Sequence, residues 1–113
     1  MELKITRSSD EAGRDALVLV GSIDLVTRQS LIDEGREVLE QGGPLTLDMG
    51  DVDFIDSTGI GALVELARAA EARGTGVLVS RSSARVTRVL EFSGLDQALG
   101  ALAPTPDPGA EGR

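Results

Sequence analysis

The spacing of apolar and polar residues at the start of the chain predicts a β-hairpin. Leu3 and Ile5 alternate with polar residues, as in a half-buried strand. Residues 16–20 are all apolar, a run typical of a strand that is covered on both faces, and residues 21–24 end it. The polar, Gly-containing stretch 8–14 is expected to be a turn, so the two strands should pair as a hairpin.

The apolar spacing becomes helical from about Val26. One face of this first helix is expected to carry Leu31, Gly35, Val38 and Leu39. Gly42, Gly43 and Pro44 should end it, since Gly takes the left-handed conformation of a helix end and Pro cannot continue a helix. Residues 45–49 then alternate between apolar and polar types, which predicts a third strand.

A second amphipathic helix is predicted after Ser57. Its buried stripe is expected to consist of Ile60, Leu63, Val64, Ala67 and Ala70. Residues 73–76 end it, and residues 77–79 form a short buried strand. A third helix follows, with Ser82 and Ser83 as candidate N-caps. Its inward residues are expected to be Val86, Val89 and Leu90, and its outward residues Arg85 and Arg88.

The order β-β-α-β-α-β-α predicts an α/β fold, a mixed sheet of about four to five strands with helices packed on it. The later strand–helix–strand crossovers should be right-handed and join parallel strands. A length of 113 residues suits one domain, expected to span residues 1–100. Residues 92–95 should close the third helix, and residues 96–102 are expected to form a last helical turn. The Pro/Gly-rich, acidic stretch 101–113 is expected to be a disordered tail.

The composition narrows the functional classes. The chain contains no His and no Cys, which excludes disulfides, thiolate metal sites and a His-based catalytic triad. Its net charge is −8 and it has neither Trp nor Tyr, whereas nucleic-acid binding normally needs a basic face and stacking aromatics. The sequence shows no signal pattern and no apolar run of membrane-spanning length. We therefore expect a cytoplasmic protein that contacts neither nucleic acid nor membrane directly.

The most informative stretch is the junction of residues 52–61, where an apolar strand ends and the second helix begins. The sequence Asp-Ser-Thr-Gly at 56–59 forms the turn into the helix. Backbone N–H groups at a helix start are free and favour negative charge, and Ser57 places a hydroxyl there. In a chain without His or Cys, Ser57 is the best candidate for a functional atom. The simpler alternative is that Asp56 and Ser57 only cap this helix, and that Asp24 only caps the first one.

Four segments carry a family resemblance, and they come in matching order and spacing. They are Gly21-Ser22-Ile23-Asp24, Leu47-Asp48, Asp53-Phe54-Ile55-Asp56-Ser57-Thr58-Gly59-Ile60-Gly61 and Phe92-Ser93-Gly94-Leu95. With these segments the chain resembles the bacterial anti-sigma factor antagonists, the single-domain members of the STAS family, from about Leu3 to Leu99. The Asp-Ser-Thr-Gly-Ile-Gly run after an apolar strand is the most specific of the four.

The resemblance implies a partner-switching protein that is a substrate and not an enzyme. Unphosphorylated members bind an anti-sigma factor and so release the sigma factor that it holds, which regulates transcription. The anti-sigma factor is typically an ATP-dependent serine kinase whose target maps to Ser57, and a separate serine phosphatase restores the active form. Asp24 matches a family position near the phosphosite, and Asp56, Thr58 and Gly59 complete its environment. No catalytic residue, cofactor or metal is implied.

We expect the partner to bind the start of the second helix. The expected contact residues are Asp56, Ser57, Thr58, Gly59, Gly61, Glu65 and Arg68. Gly59 and Gly61 have no Cβ, so a partner loop could approach the backbone closely. Phosphate on Ser57 would add about −1.5 to −2 charge to a patch expected to include Asp24 and Asp53. A partner surface shaped for a neutral hydroxyl would then be repelled.

Other functions fit the residues less well. Asp48 resembles the acceptor of a phospho-receiver domain, but receivers also need an early acidic pair and a late Lys, and Lys4 is the only lysine. A serine hydrolase needs a His base, and Gly-x-Ser-x-Gly is absent. Asp48, Asp51 and Asp53 could suggest a metal site, but acids around a turn are usually solvated. Within the fold, a STAS subunit of a lipid-transport or stressosome-type complex is the alternative.

Overall fold

The computed structural model describes residues 2–9 and 15–93 of the chain. Within these ranges the elements follow in the predicted order: β1 (Leu3–Ser9), β2 (Asp15–Ile23), α1 (Arg28–Glu40), β3 (Leu45–Ile55), α2 (Ser57–Ala72), β4 (Val77–Ser82) and α3 (Ala84–Ser93). The predicted α/β fold is confirmed. The predictions for Gly94 and Leu95, for the helical turn at 96–102 and for the tail at 101–113 lie outside the described residues.

The four strands form one mixed sheet in the order β1-β2-β3-β4. β1 runs antiparallel to β2, while β2, β3 and β4 run parallel to one another. In this register Ile5 lies opposite Leu19, and Leu17, Leu47 and Val79 lie side by side on neighbouring strands. Leu17 and Leu19 point to the same face of β2, so these residues form one apolar surface on that face of the sheet. Residues of all three helices join them in one core cluster, among them Leu31, Leu39, Leu63, Leu66, Val86 and Leu90.

Gly35 lets α1 and α2 pack closely against each other. A Cβ at this position would lie 2.6 Å from the Cδ2 atom of Leu66 in α2 and 3.1 Å from the Cδ2 atom of Leu45 in β3. Gly35 is buried on the predicted face of α1, and its lack of a side chain leaves room for Leu66. The two glycines after α1, Gly42 and Gly43, have φ values of 93° and 85°, which confirms the predicted left-handed helix end.

The burial predicted for β2 is wrong. Leu17 and Leu19 are fully buried, but Val18 is only half-buried and Val20 is 42% exposed. Alternate side chains of a strand point to opposite faces of the sheet, and the described elements cover only one face at Val20. Within the described residues, this apolar run therefore belongs to a strand with one fully buried face and one partly exposed face.

The buried stripe of α2 is also rotated from its predicted position. The buried residues are Gly59, Ala62, Leu63, Leu66 and Ala70. Ile60, Val64 and Ala67, which were expected on the stripe, are only partly buried against the core. Apolar residues occur around most of this helix, so their spacing did not select one face. Packing against α1 and the sheet selects it.

Several element boundaries differ from the predicted ones. Three strands extend further than predicted: β2 to Ile23, β3 to Ile55 and β4 to Ser82, so Ser82 ends a strand and does not cap α3. β1 continues to Ser9, so Ser8 and Ser9 belong to the strand and not to the turn. α1 begins at Arg28, because residues 25–27 form a separate turn before it. That turn lies beside the junction of β3 and α2.

Candidate functional site

The parallel pairing of β2 and β3 brings the two predicted acidic residues to one edge of the sheet. Ile23 and Ile55 are register partners and the last residues of their strands. Asp24 and Asp56 follow them directly. The backbone N–H of Asp56 donates to the carbonyl oxygen of Ile23 at 3.3 Å, which ties the two strand ends together. The turn of residues 25–27, which leads into α1, follows one strand end, and α2 follows the other.

Asp56 is the N-cap of α2. Its Oδ1 atom accepts hydrogen bonds from the backbone N–H groups of Thr58 and Gly59, both at 3.0 Å, and from the Thr58 hydroxyl at 2.6 Å. These donors stabilise the ionised carboxylate, so the Thr58 hydroxyl above all, together with the Gly59 N–H, lowers the pKa of Asp56 below its usual value. The sequence suggested that both Asp56 and Ser57 could cap this helix. In the structure, Asp56 is the residue that caps it.

The Ser57 hydroxyl is left exposed by this arrangement. Ser57 is the first residue of α2, and its side chain faces solvent. No side-chain hydrogen bond among the described residues involves it. The neighbouring Thr58 differs, because its side chain is half-buried and its hydroxyl is bonded to Asp56. Of these two adjacent residues, Ser57 is therefore the more exposed, and its hydroxyl is not bonded to Asp56.

Asp24 organises the turn between β2 and α1. Its Oδ1 atom accepts from the backbone N–H groups of Val26 at 3.0 Å and Thr27 at 3.1 Å. The Thr27 hydroxyl accepts from the Asp24 N–H at 3.0 Å and lies 2.8 Å from the carbonyl oxygen of Ser22. The alternative that Asp24 acts only as the cap of the first helix is thus partly correct. It caps this turn, while Thr27 occupies the N-cap position of α1.

The same turn exposes two large apolar residues that the sequence did not indicate as functional. Leu25 is 70% exposed and Val26 is 79% exposed. The apolar spacing predicts that Val26 lies at the start of a helix, where a single apolar residue does not indicate a functional site. The signal that could have identified them is an apolar pair between Asp24 and Thr27, two residue types that favour turns and caps.

Gly59 and Gly61 have different environments. Gly59 is buried, and a Cβ there would lie 2.5 Å from the carbonyl oxygen of Ile23 and 2.8 Å from Ile55 Cγ1. It therefore lets α2 approach the strand ends, and its buried position does not favour the predicted approach of a partner loop to its backbone. A Cβ at Gly61 would meet nothing within 4 Å. Gly61 is exposed, as that prediction requires.

Glu65 and Arg68 differ in a similar way. Glu65 was expected to point outward, but its Oε2 and Oε1 atoms pair with Arg36 at 3.1 Å and Arg28 at 3.6 Å in α1. Its side chain remains 41% exposed, so it bridges the two helices at their surface. Arg68 is exposed.

The remaining acidic residues near the site have basic or polar partners. Asp48 accepts from the Arg81 Nε atom at 3.0 Å, and Asp51 lies 3.7 Å from the same guanidinium. This contact raises the pKa of Arg81. Asp53 is exposed and lies 3.4 Å from the Ser22 hydroxyl. The described residues contain no group of three or more acidic side chains that could hold a metal ion.

Removing the Asp56 side chain is expected to destabilise the protein in a pH-dependent way. Asp56→Ala should lower the free energy of unfolding by about 1 kcal/mol at pH 7, the usual value of an N-cap. Because the folded-state pKa is lowered, the contribution of the ionised carboxylate is present above the unfolded pKa of about 3.9. It is lost as the pH falls through the lower folded-state pKa. Urea unfolding of both proteins between pH 7 and pH 3 measures this, and an equal difference at both pH values would contradict it.

Comparison with known proteins places this fold. A family model described as "Mlab, STAS domain" matches residues 7–103. The chain belongs to the STAS domain family. It is 29% identical over 77 residues to an anti-sigma-B factor antagonist from Bacillus subtilis, a match that spans 68% of this chain and 71% of that protein. One relative of this STAS protein is therefore a regulatory protein.

Solved structures share the fold of this STAS protein. An anti-sigma factor antagonist from Mycobacterium paratuberculosis has a TM-score of 0.71 at 22% identity, covering 92% of this chain and 88% of that one. The Bacillus cell fate determinant SpoIIAA in its phosphorylated form has a TM-score of 0.62 at 20% identity, covering 96% of this chain and 98% of that one. At these sequence identities, the structural likeness shows a shared fold and nothing more specific.

Proposed function

We propose that this STAS protein is an anti-sigma factor antagonist that Ser57 phosphorylation switches off. In the unphosphorylated state it binds an anti-sigma factor with serine kinase activity and so frees a sigma factor for transcription. The observation that carries the proposal is the geometry at Ser57. Its hydroxyl is exposed at a helix start, while Asp56 supplies the cap and Thr58 is bonded to it. The name of the Bacillus subtilis relative supports the same role.

Phosphorylation would change the surface more than the fold. The backbone N–H groups of Thr58 and Gly59 are already bonded to Asp56, so the phosphate would not replace an existing contact of Ser57. It would add about −1.5 to −2 charge beside two carboxylates. A partner that fits the neutral hydroxyl would have to desolvate this charge without a matched cation, which is unfavourable. The switch therefore acts on binding and leaves the antagonist folded.

The protein acts as a substrate in both directions of this cycle. The Ser57 Oγ atom attacks the γ-phosphorus of ATP held by the anti-sigma factor, the hydroxyl proton is lost, and ADP leaves. A separate serine phosphatase hydrolyses the phosphoserine with water. No cofactor of this chain takes part. Among the described residues, no helix has the length and apolar composition needed to cross a membrane, and we place the cycle in the cytoplasm, where transcription occurs.

The test uses three baits in native lysate: the unmodified protein, Ser57→Ala and Ser57→Asp. Mass spectrometry identifies what each one retains. We expect the first two to retain an ATP-binding anti-sigma factor and Ser57→Asp to lose it. The purified partner should then transfer phosphate from ATP to the unmodified protein and to Thr58→Val, but not to Ser57→Ala. Retention of the same partner by all three baits would contradict the switch.

A different partner would redirect the assignment. If the unmodified bait retains an ATP-binding-cassette subunit and no anti-sigma factor, a subunit of a lipid-transport complex becomes the better assignment. If the unmodified bait retains large assemblies of other STAS proteins, a stressosome-type role becomes the better assignment. Phosphate transfer to Thr58 would keep the partner class and move the switch by one residue.

A further inference from the structure

The turn of residues 24–27 presents an apolar pair that the fold itself does not use. Leu25 and Val26 are 70% and 79% exposed, although most other large apolar residues of the described chain are buried. Single exposed apolar residues are common on protein surfaces. Two adjacent branched residues at the tip of one turn are a larger apolar feature, and such features often mark interaction sites.

Hydrogen bonds hold this turn in one conformation. Asp24 accepts from the N–H groups of Val26 and Thr27, and the Arg28 N–H donates to the Asp24 carbonyl oxygen at 2.9 Å. Thr27 is only 8% exposed, which anchors the end of the turn in the protein. Leu25 and Val26 cannot turn inward without breaking these bonds. They are therefore preorganised, which lowers the entropy cost of binding through them.

The turn and the Ser57 hydroxyl lie at the same edge of the sheet. The turn follows Ile23, and Ser57 follows Asp56, whose N–H is bonded to the Ile23 carbonyl oxygen. Asp24 precedes the apolar pair and Asp56 precedes Ser57, each directly after the end of its strand. One surface thus combines an apolar projection, two carboxylates and an exposed hydroxyl.

We propose that Leu25 and Val26 are the apolar anchor through which the anti-sigma factor recognises this protein. They insert into an apolar depression on the partner, beside the surface that contacts the Ser57 hydroxyl. This inference rests on the proposed function and adds a specificity element outside α2. The anchor also excludes water around Ser57, as contacts around an interface centre do. It therefore increases the penalty for a phosphate there.

The test measures the dissociation constant between the full chain and the purified anti-sigma factor that the unmodified bait retains. The variant is Leu25→Asn with Val26→Thr, which keeps side-chain size and removes apolar surface. The matched control is Val20→Thr, the same change at an exposed position on the sheet. We expect the double variant to bind about 30-fold more weakly, within the range of interface hot spots. The control should bind unchanged, and all three proteins should have the same melting temperature.

A second readout separates anchoring from a merely structural role. The ratio of dissociation constants for the phosphorylated and unmodified forms should shrink at least about threefold in the double variant, because its interface excludes less water. Isothermal titration calorimetry should also give a less negative heat-capacity change of binding for that variant, since it buries less apolar surface.

The outcomes distinguish this inference from the proposed function. If Ser57→Asp abolishes binding and the double variant binds like the unmodified protein, the anchor is refuted and the switch is retained. If the unmodified protein retains no anti-sigma factor, both fail. If the chain alone forms a dimer that the double variant dissociates in analytical ultracentrifugation, the pair contacts a second copy and the anchor assignment is overturned.

Discussion

Gly59→Ala is expected to destabilise the protein by about 3 kcal/mol, the upper end of typical overpacking effects. The added Cβ would lie 2.5 Å from the Ile23 carbonyl oxygen, and 2.8 Å from both Ile23 Cγ2 and Ile55 Cγ1. The nearest of these atoms is backbone, and it already accepts the Asp56 N–H. Relief therefore requires α2 to move away from the ends of β2 and β3, and it would carry Ser57 away from the 24–27 turn.

Gly61→Ala is the matched control in the same helix. Its Cβ meets nothing within 4 Å, and alanine favours a helix over glycine by up to about 1 kcal/mol. We expect equal or greater stability than the unmodified protein. Urea unfolding followed by far-UV circular dichroism measures both variants. Equal destabilisation of the two would contradict the close approach of α2 to the strand ends.

Leu66→Ala is expected to cost about 3–4 kcal/mol, because it deletes a fully buried leucine and leaves a cavity. Val64→Ala should cost only about 1 kcal/mol, since Val64 is partly buried at the edge of the core. The predicted stripe of α2 included Val64 and omitted Leu66. The unfolding free energies of these two variants therefore distinguish the observed buried face of α2 from the predicted one. A larger loss of stability for Val64→Ala than for Leu66→Ala would support the predicted face.

The close contact between Gly35 in α1 and Leu66 in α2 predicts that substitutions at these two residues are energetically coupled. Gly35→Ala alone should be destabilising by about 1–2 kcal/mol, since its Cβ would lie 2.6 Å and 2.9 Å from the two Leu66 methyl groups. In the Leu66→Ala background these methyl groups are absent, so Gly35→Ala should become neutral or stabilising. A double-mutant cycle measures this coupling. Additive effects of the two substitutions would show that α1 and α2 do not meet at these residues.

Much of the architecture follows from local patterns. Residues 45–49 alternate, Gly42 and Gly43 stop α1, and Ser83 caps α3, where its hydroxyl accepts from the Val86 N–H at 3.2 Å. Each of these features depends on residues close in sequence, so their spacing is sufficient. The alternation of strands with helices then leaves few arrangements, and the mixed sheet is one of them.

The sequence predicted the residues of the site but not their contacts, some of which join close neighbours and some of which join α1 and α2. The sequence placed Asp56, Ser57 and Thr58 at a helix start. It did not show that one carboxylate would take both helix N–H groups and the Thr58 hydroxyl, leaving Ser57 exposed. Glu65 was expected to face outward because the helical spacing gave no sign of Arg28 and Arg36.

The sequence by itself determined the order of elements, the STAS resemblance and the choice of Ser57 as the candidate residue. These depend on periodicity and on contiguous motifs. The tertiary structure decided which face of α2 is buried, why Gly59 must lack a side chain, and that Leu25 and Val26 are exposed at the same edge of the sheet as Ser57. Each of these features is set by strands and helices that pack across long sequence separations. Where apolar residues occur on several faces of an element, local spacing alone does not select the ones that such packing leaves exposed.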